Sequence, residues 1–313
     1  MIKIGISTFA LQQYYGDKEA MRVAKECGAD AIDFSLGIED YRNEKSTYSK
    51  SEKEFVEYYT SLKTYADSIG LEICQTHGRG PGLKNEKEHD DALIENARLD
   101  CYATALLGAP TCVIHAVTTM CHMEESPEFM HELNLKQFGL ILPFAKQYNV
   151  KVATETFGDV HGGAKCDFFG NNCEFIKSYN LTKERYPEYA DYFTVCMDTG
   201  HTNKATKFNN NPLPPQAIRE IGSDITVLHL NDNTTDADQH LIPFVGKVGW
   251  KIPGTIDWDD TFDALDEIGY NGVYNMELEL GRYGNEVMDH VTRLAVASMR
   301  NFISKRKNEK NKN

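Results

Sequence analysis

At 313 residues, 41% hydrophobic and with a formal net charge of −14, the chain is the size of one large α/β barrel or of two smaller domains. The acidic balance excludes a general affinity for nucleic acid, although it leaves room for a local basic groove. No run of about 18 apolar residues is present, which excludes a membrane-spanning helix, and the opening IKIGIS reads as a strand rather than a signal peptide.

In chain order, short β-branched runs alternate with helical stretches. IKIGIST is followed by the helix KEAMRVAKECG and then by DAIDFSLG. A helix over 52–69 precedes LEICQTHG, and EHDDALIENARLDCYATALLG leads to PTCVIHAV. A helix over 127–148 runs into VKVATETFG, and another over 173–188 into YFTVCMDTGH. PPQAIREIG leads to ITVLHLND, WDDTFDALDEIG precedes GVYNMELE, and 285–303 closes the chain as a helix. Apolar residues recur at three and four in the helices, whereas the strands are short continuous runs. Strict alternation implies parallel strands with crossover helices, and eight such units fit a single-domain (β/α)8 TIM barrel over residues 1–304. Gly28, Gly70, Gly108, Gly222 and Gly269 stand where helix C-caps belong. No GxGxxG follows the first strand, so a dinucleotide-binding sheet is the weaker alternative. The polar end, 305–313, is expected to be a disordered tail. Eight cysteines without a CxxC pair suggest buried thiols in a reducing cytoplasm.

The last residue of each run carries the functional signal. The third to eighth strands end on His77, His115, Glu155, Asp198, His229 and Glu277, one βα unit apart. In a barrel these ends share the C-terminal face, where active sites lie. The segment VCMDTGH poses the question sharply, because Asp198 could simply cap the next helix; six such residues in one register define a site. Three carboxylates converging without arginines would repel one another, and a divalent cation relieves that repulsion. Glu155, Asp198, His229 and Glu277 are therefore the expected ligands of one ion. Three oxygens and one nitrogen suit manganese, cobalt, magnesium or zinc without choosing among them; manganese is taken as the working identity.

TETFG around Glu155, MDTGH with Asp198 and His201, LHLND with His229, the stretch from Asp238 to Trp258 and NMELE with Glu277 together resemble the xylose-isomerase-like barrel superfamily. That group holds sugar phosphate isomerases and epimerases, ketose 3-epimerases, inosose dehydratases and endonuclease IV. The resemblance implies one metal on the four ligands above, with His77, His201, Asp238 and His240 as substrate contacts. In endonuclease IV, the matching positions His77 and His115 would serve a second zinc, and His201, Asp238 and His240 a third. Ketose 3-epimerases follow the histidine of the seventh strand with a substrate-gripping arginine; here Asn231 and Asp232 stand next.

The implied chemistry is proton abstraction beside a sugar carbonyl, the cation stabilising the enediolate and Glu155 and Glu277 handling the proton on opposite faces. Exchange between faces epimerises, and return at the neighbouring carbon isomerises. A β leaving group turns the same carbanion to elimination, as in inosose dehydratases and C-glycoside-cleaving subunits acting on 3-keto-glycosides; His115 is then the candidate acid or base. The expected partner is a sugar, keto-sugar or keto-glycoside, with neither nucleic acid nor membrane; a homo-oligomer or partner subunit stays open. An endonuclease and a non-catalytic sugar-binding barrel are the remaining readings.

Weaker features are the glycine-rich segment 157–172 with Phe168 and Phe169, read as a lid or as a loop with a packed aromatic pair, and 207–215, which borders the entrance or starts the next helix. Lys204, Lys247 and Lys251 are candidates for anionic substrate groups or solvated surface charges. His161 is too isolated to assign.

Overall fold

The strand runs read from the sequence form one parallel sheet that curls round on itself. The structure is a computed structural model, and it describes residues 2–122, 126–160, 162–208, 210–244 and 254–310. In chain order the elements begin β1 (Ile4–Ser7), α1 (Phe9–Tyr15), α2 (Asp17–Glu26), β2 (Ala31–Ser35), α3 (Glu52–Ser68), β3 (Glu72–His77), α4 (Lys87–Leu106) and β4 (Thr111–Ile114). They continue α5 (Pro127–Tyr148), β5 (Lys151–Glu155), β6 (Asp159–Val160), β7 (Lys165–Cys166), α6 (Asn172–Arg185), β8 (Phe193–Asp198) and α7 (Thr199–Ala205). The chain ends α8 (Pro214–Ile221), β9 (Ile225–His229), α9 (Trp258–Glu267), β10 (Tyr274–Met276) and α10 (Met288–Lys310).

Eight strands pair in the order β10-β1-β2-β3-β4-β5-β8-β9. The seam between β9 and β10 is narrow: the Leu230 N–H donates to the Asn275 carbonyl at 2.8 Å and the Glu277 N–H to the Leu230 carbonyl at 3.3 Å. This is the expected TIM barrel. β6 and β7 form a separate antiparallel hairpin.

Local sequence explains the frame. In α3, Ser51 accepts from the Glu54 N–H at 3.4 Å while the Glu54 carboxylate accepts from the Ser51 N–H at 3.1 Å, a closed capping box. Its buried face is Phe55, Tyr59, Leu62 and Ala66, spaced four, three and four. The five glycines expected at helix ends all take left-handed φ, between 65° and 95°. Outward strand residues such as Ile6, Ile32, Phe34, Val152 and Met197 join the helices in the main core. Val113, Ala153, Cys196 and Val227, from four adjacent strands, form a second buried apolar cluster. Asp33, Gln75 and Asn275 are also buried within the sheet, and Gly5 leaves space for Asn275, whose carboxamide oxygen would lie 2.7 Å from any Cβ there.

Two expectations change. Residues 305–310, expected in a disordered tail, belong to α10, which runs to Lys310; Arg306 ties this turn down, its guanidinium 2.7 Å from Asp263 and 3.2 Å from Asp266 and lying over the Phe262 ring. α1 and α7, seven residues each, were absent from the sequence reading, being too short to show a period. Phe168 and Phe169 pack edge-to-face with each other and with His131, so this part of 157–172 belongs to the packed body. The segment 207–215 does start a helix, with Pro214 as the first residue of α8. Among the described residues no helix is long and apolar enough to cross a membrane.

Candidate metal centre

The six strand-end residues converge as the register required. Glu155 and Asp198 close β5 and β8, His229 closes β9, and Glu277 follows β10. One ligand atom from each of these four lies within 4.8 Å of the others. His229 Nδ1 is 2.9 Å from Glu155 Oε1 and 3.1 Å from Glu277 Oε2. Glu155 Oε2 and Glu277 Oε2 are buried without a hydrogen bond, although imidazole nitrogens approach them at 3.2 and 3.1 Å. Groups gathered this closely without donor–acceptor alignment have the arrangement of ligands around a shared cation, and buried carboxylates without one are costly. The donor set therefore fits a divalent ion, which Glu155, Asp198, His229 and Glu277 would hold.

The question raised by VCMDTGH has two answers at once. Asp198 is the N-cap of α7, its Oδ1 accepting from the His201 N–H at 2.6 Å. Its Oδ2 belongs to the cluster side and accepts from Asn231 Nδ2 at 3.0 Å. Gly200 is needed between them, since a Cβ there would stand 1.8 Å from Asn231 Oδ1. Asp232, one residue on, accepts from the Trp258 indole N–H at 2.9 Å and the Ile256 N–H at 3.2 Å. Asn231 and Asp232, which stand where ketose 3-epimerases place an arginine, thus orient the cluster and anchor the chain leading into α9.

His77 and His115 lie at the edge of the cluster. Their Nε2 atoms are 3.1 Å apart; His115 reaches Glu155 at 3.2 Å and His77 reaches Glu277 at 3.3 Å. His77 also stacks on His229 with centroids 5.0 Å apart. His201 and His240 meet Asp238, at 3.4 and 3.3 Å. That group already contains a cation. The Lys204 ammonium, buried, is 3.3 Å from Asp238 and 3.1 Å from Asp159. Lys204 is therefore engaged in internal pairs and does not await an anionic substrate group. His161, Lys247 and Lys251 lie outside the described residues.

Electrostatics follows from these neighbours. Burial opposes ionisation of Glu155 and Glu277, yet the imidazoles, His229 foremost, hold both well below the ordinary carboxylate range. Asp198 moves up, through burial and the charges of Glu155 and Glu277 against the pull of His201. Burial drives His115 down to about 4 despite Glu155, which keeps its imidazole neutral. His240 is carried the other way to about 9, burial being outweighed by Asp238 and Glu277.

One participant escaped the sequence reading. Asp33, in the middle of β2 and fully buried, places Oδ2 3.1 Å from His229 Nε2. The signal was a carboxylate inside the apolar run AIDFS, which has no reason to be there without a partner.

The arrangement is thus a (β/α)8 barrel whose C-terminal mouth gathers a donor set suited to a divalent ion. The chain matches the family described as the xylose isomerase-like TIM barrel over residues 21–302 and belongs to it. Among curated relatives, it is 27% identical over 61% of its length to the uncharacterised protein y4fM of Sinorhizobium fredii, of which it covers 53%. Among solved structures, it resembles the 3-keto-D-glucoside 4-epimerase YcjR of E. coli, with 15% identity, a TM-score of 0.67 and coverage of 96% of this chain and 100% of that one. It also resembles the IolI protein with a bound zinc atom, with 16% identity, a TM-score of 0.67 and coverage of 97% and 99%. At these identities the likeness carries the fold.

Proposed function

We propose that this chain is a divalent-metal-dependent sugar epimerase or isomerase that moves a proton on a carbon beside a sugar carbonyl. One observation carries the reading: Glu155 and Glu277, from separate strands and both held ionised, meet at the His229 imidazole, 2.9 and 3.1 Å from its Nδ1, and each keeps one buried oxygen without a hydrogen bond. When bound, a divalent ion supplies Lewis-acid polarisation of the carbonyl and charge neutralisation for the enediolate. The chain's own residues supply the rest. One glutamate takes the proton, and the other returns it on the opposite face or at the adjacent carbon. His115, neutral and 3.2 Å from Glu155, relays or supplies a proton at the mouth. His77, His201 and His240 offer hydrogen bonds to hydroxyl groups. The zinc in the IolI structure and the keto-glycoside epimerised by YcjR are properties of those proteins; they support the class of reaction, with manganese as the working ion. The eight cysteines are all free, consistent with a cytoplasmic setting.

A lyase is the second reading, favoured by the histidine pair His77–His115 beside Glu155 together with Asn231 in place of a substrate-gripping arginine. The endonuclease reading is weaker, because the Lys204 ammonium already neutralises the group that would take a third ion. A purely binding barrel has no use for two ionised glutamates aimed at one point.

The test is solvent deuterium uptake into a panel of keto-sugars and keto-glycosides, followed by NMR with manganese-loaded protein. Uptake at one carbon, lost on chelation, is the expected result; no uptake with any member sinks both epimerase and lyase.

A further inference from the structure

A cavity of about 570 Å³ opens over the cluster, and its lining has two unlike poles. One pole is the cluster itself, reached through His77, His115, His240 and Glu277. The other consists of Phe9, the first residue of α1, and of Ile38 and Met120 on the loops that follow β2 and β4. These three large apolar side chains are 45%, 49% and 48% exposed, whereas the other large apolar residues of the lining, Phe157 and Leu278, are half-buried and buried. No lysine or arginine lies among the described residues that line it.

We infer that the substrate is an unphosphorylated glycoside whose apolar aglycone rests on Phe9, Ile38 and Met120 while its sugar is held at the cluster. This rests on the proposed function and deepens it by naming the substrate class. Three points carry it. The cavity has the volume of those that hold drug-sized ligands, and a hexose at the donor cluster leaves the far pole in water. Covering exposed apolar surface that is continuous with the site is favourable in proportion to its area, and an aromatic group of an attached aglycone reaches it without leaving the sugar. A phosphoryl group, by contrast, finds no cation among the described residues of the lining. Met120 suits aglycones of differing outline, since its unbranched thioether adapts its shape.

The experiment compares methyl and phenyl 3-keto-β-D-glucopyranoside with the full manganese-loaded chain, by calorimetric titration and by deuterium uptake. The phenyl compound is expected to bind at least about tenfold more tightly than the methyl one. Phe9→Ser, Ile38→Ser and Met120→Ser are each expected to reduce that ratio several-fold; all three sites are exposed, so the barrel tolerates them. Equal binding of the two glycosides, with deuterium uptake intact, overturns the inference and leaves the proposed function standing. Absence of uptake across the panel defeats the proposed function, and the calorimetric ratio then still decides the apolar pole. If sedimentation shows a dimer that Ile38→Ser dissociates while the ratio is unchanged, the pole is a contact between two copies and the inference falls.

Discussion

Asp33 Oδ2 lies 3.1 Å from His229 Nε2, and the opposite nitrogen of that ring faces Glu155 at 2.9 Å. The carboxylate thereby orients the ring, holding Nδ1 toward Glu155 and Glu277, on the side where an ion would be bound. Such an outer partner commonly contributes a factor of about 10–100 in metal affinity. Asp33→Asn should therefore weaken manganese binding by about that factor while circular dichroism stays native. Unchanged affinity in a metal titration would show that packing alone holds the ring.

Asp198 has two duties that different substitutions separate. Asp198→Asn keeps an oxygen for the His201 N–H, and so the cap on α7, but removes the charge a cation needs. Asp198→Ala removes both and costs about 1 kcal/mol more in folding stability. Elemental analysis should find both variants depleted of metal, as it should His229→Ala, with only the alanine at 198 showing the lower urea midpoint. Metal content equal to wild type in all three variants refutes the assignment of this centre.

The glutamate pair predicts a split between binding and turnover. Glu155→Gln and Glu277→Gln preserve shape and remove the base, so turnover at saturating metal should fall by about 10²-fold or more. Calorimetry should still register the substrate. Near-normal rates in both variants would place the proton transfer on other groups.

His115 distinguishes elimination from epimerisation. Its burial and its 3.2 Å approach to Glu155 place a neutral imidazole beside the proposed base. In a lyase, His115→Ala should spare deuterium exchange at the substrate carbon and slow product formation. In an epimerase, exchange and product formation should fall together or stay together. Following both in one NMR tube gives the answer.

Much of this protein is legible along the chain. The alternation of helix and strand periods, the glycines at 28, 70, 108, 222 and 269 and the polar residue ending each of six strands are local features. Strands alternating with crossover helices run parallel, so the residues that end them are brought to one rim whatever the length of each unit. That is why Glu155, Asp198, His229 and Glu277 could be named together before any coordinates.

What the sequence by itself determined is the barrel and the identity of the groups at its mouth, because both follow from repeat and register. Only the tertiary structure decided how those groups are partnered. Asp33 and His229 are 196 residues apart, and nothing in AIDFS says which strand it faces across the barrel. Lys204 reads in sequence first as a solvated surface charge, and folding buries it between Asp159 and Asp238. Asp198 read as cap or ligand until α7 and Asn231 took one oxygen each. Cross-barrel contacts depend on closure of the sheet, and closure belongs to the whole chain, with no local pattern to announce it.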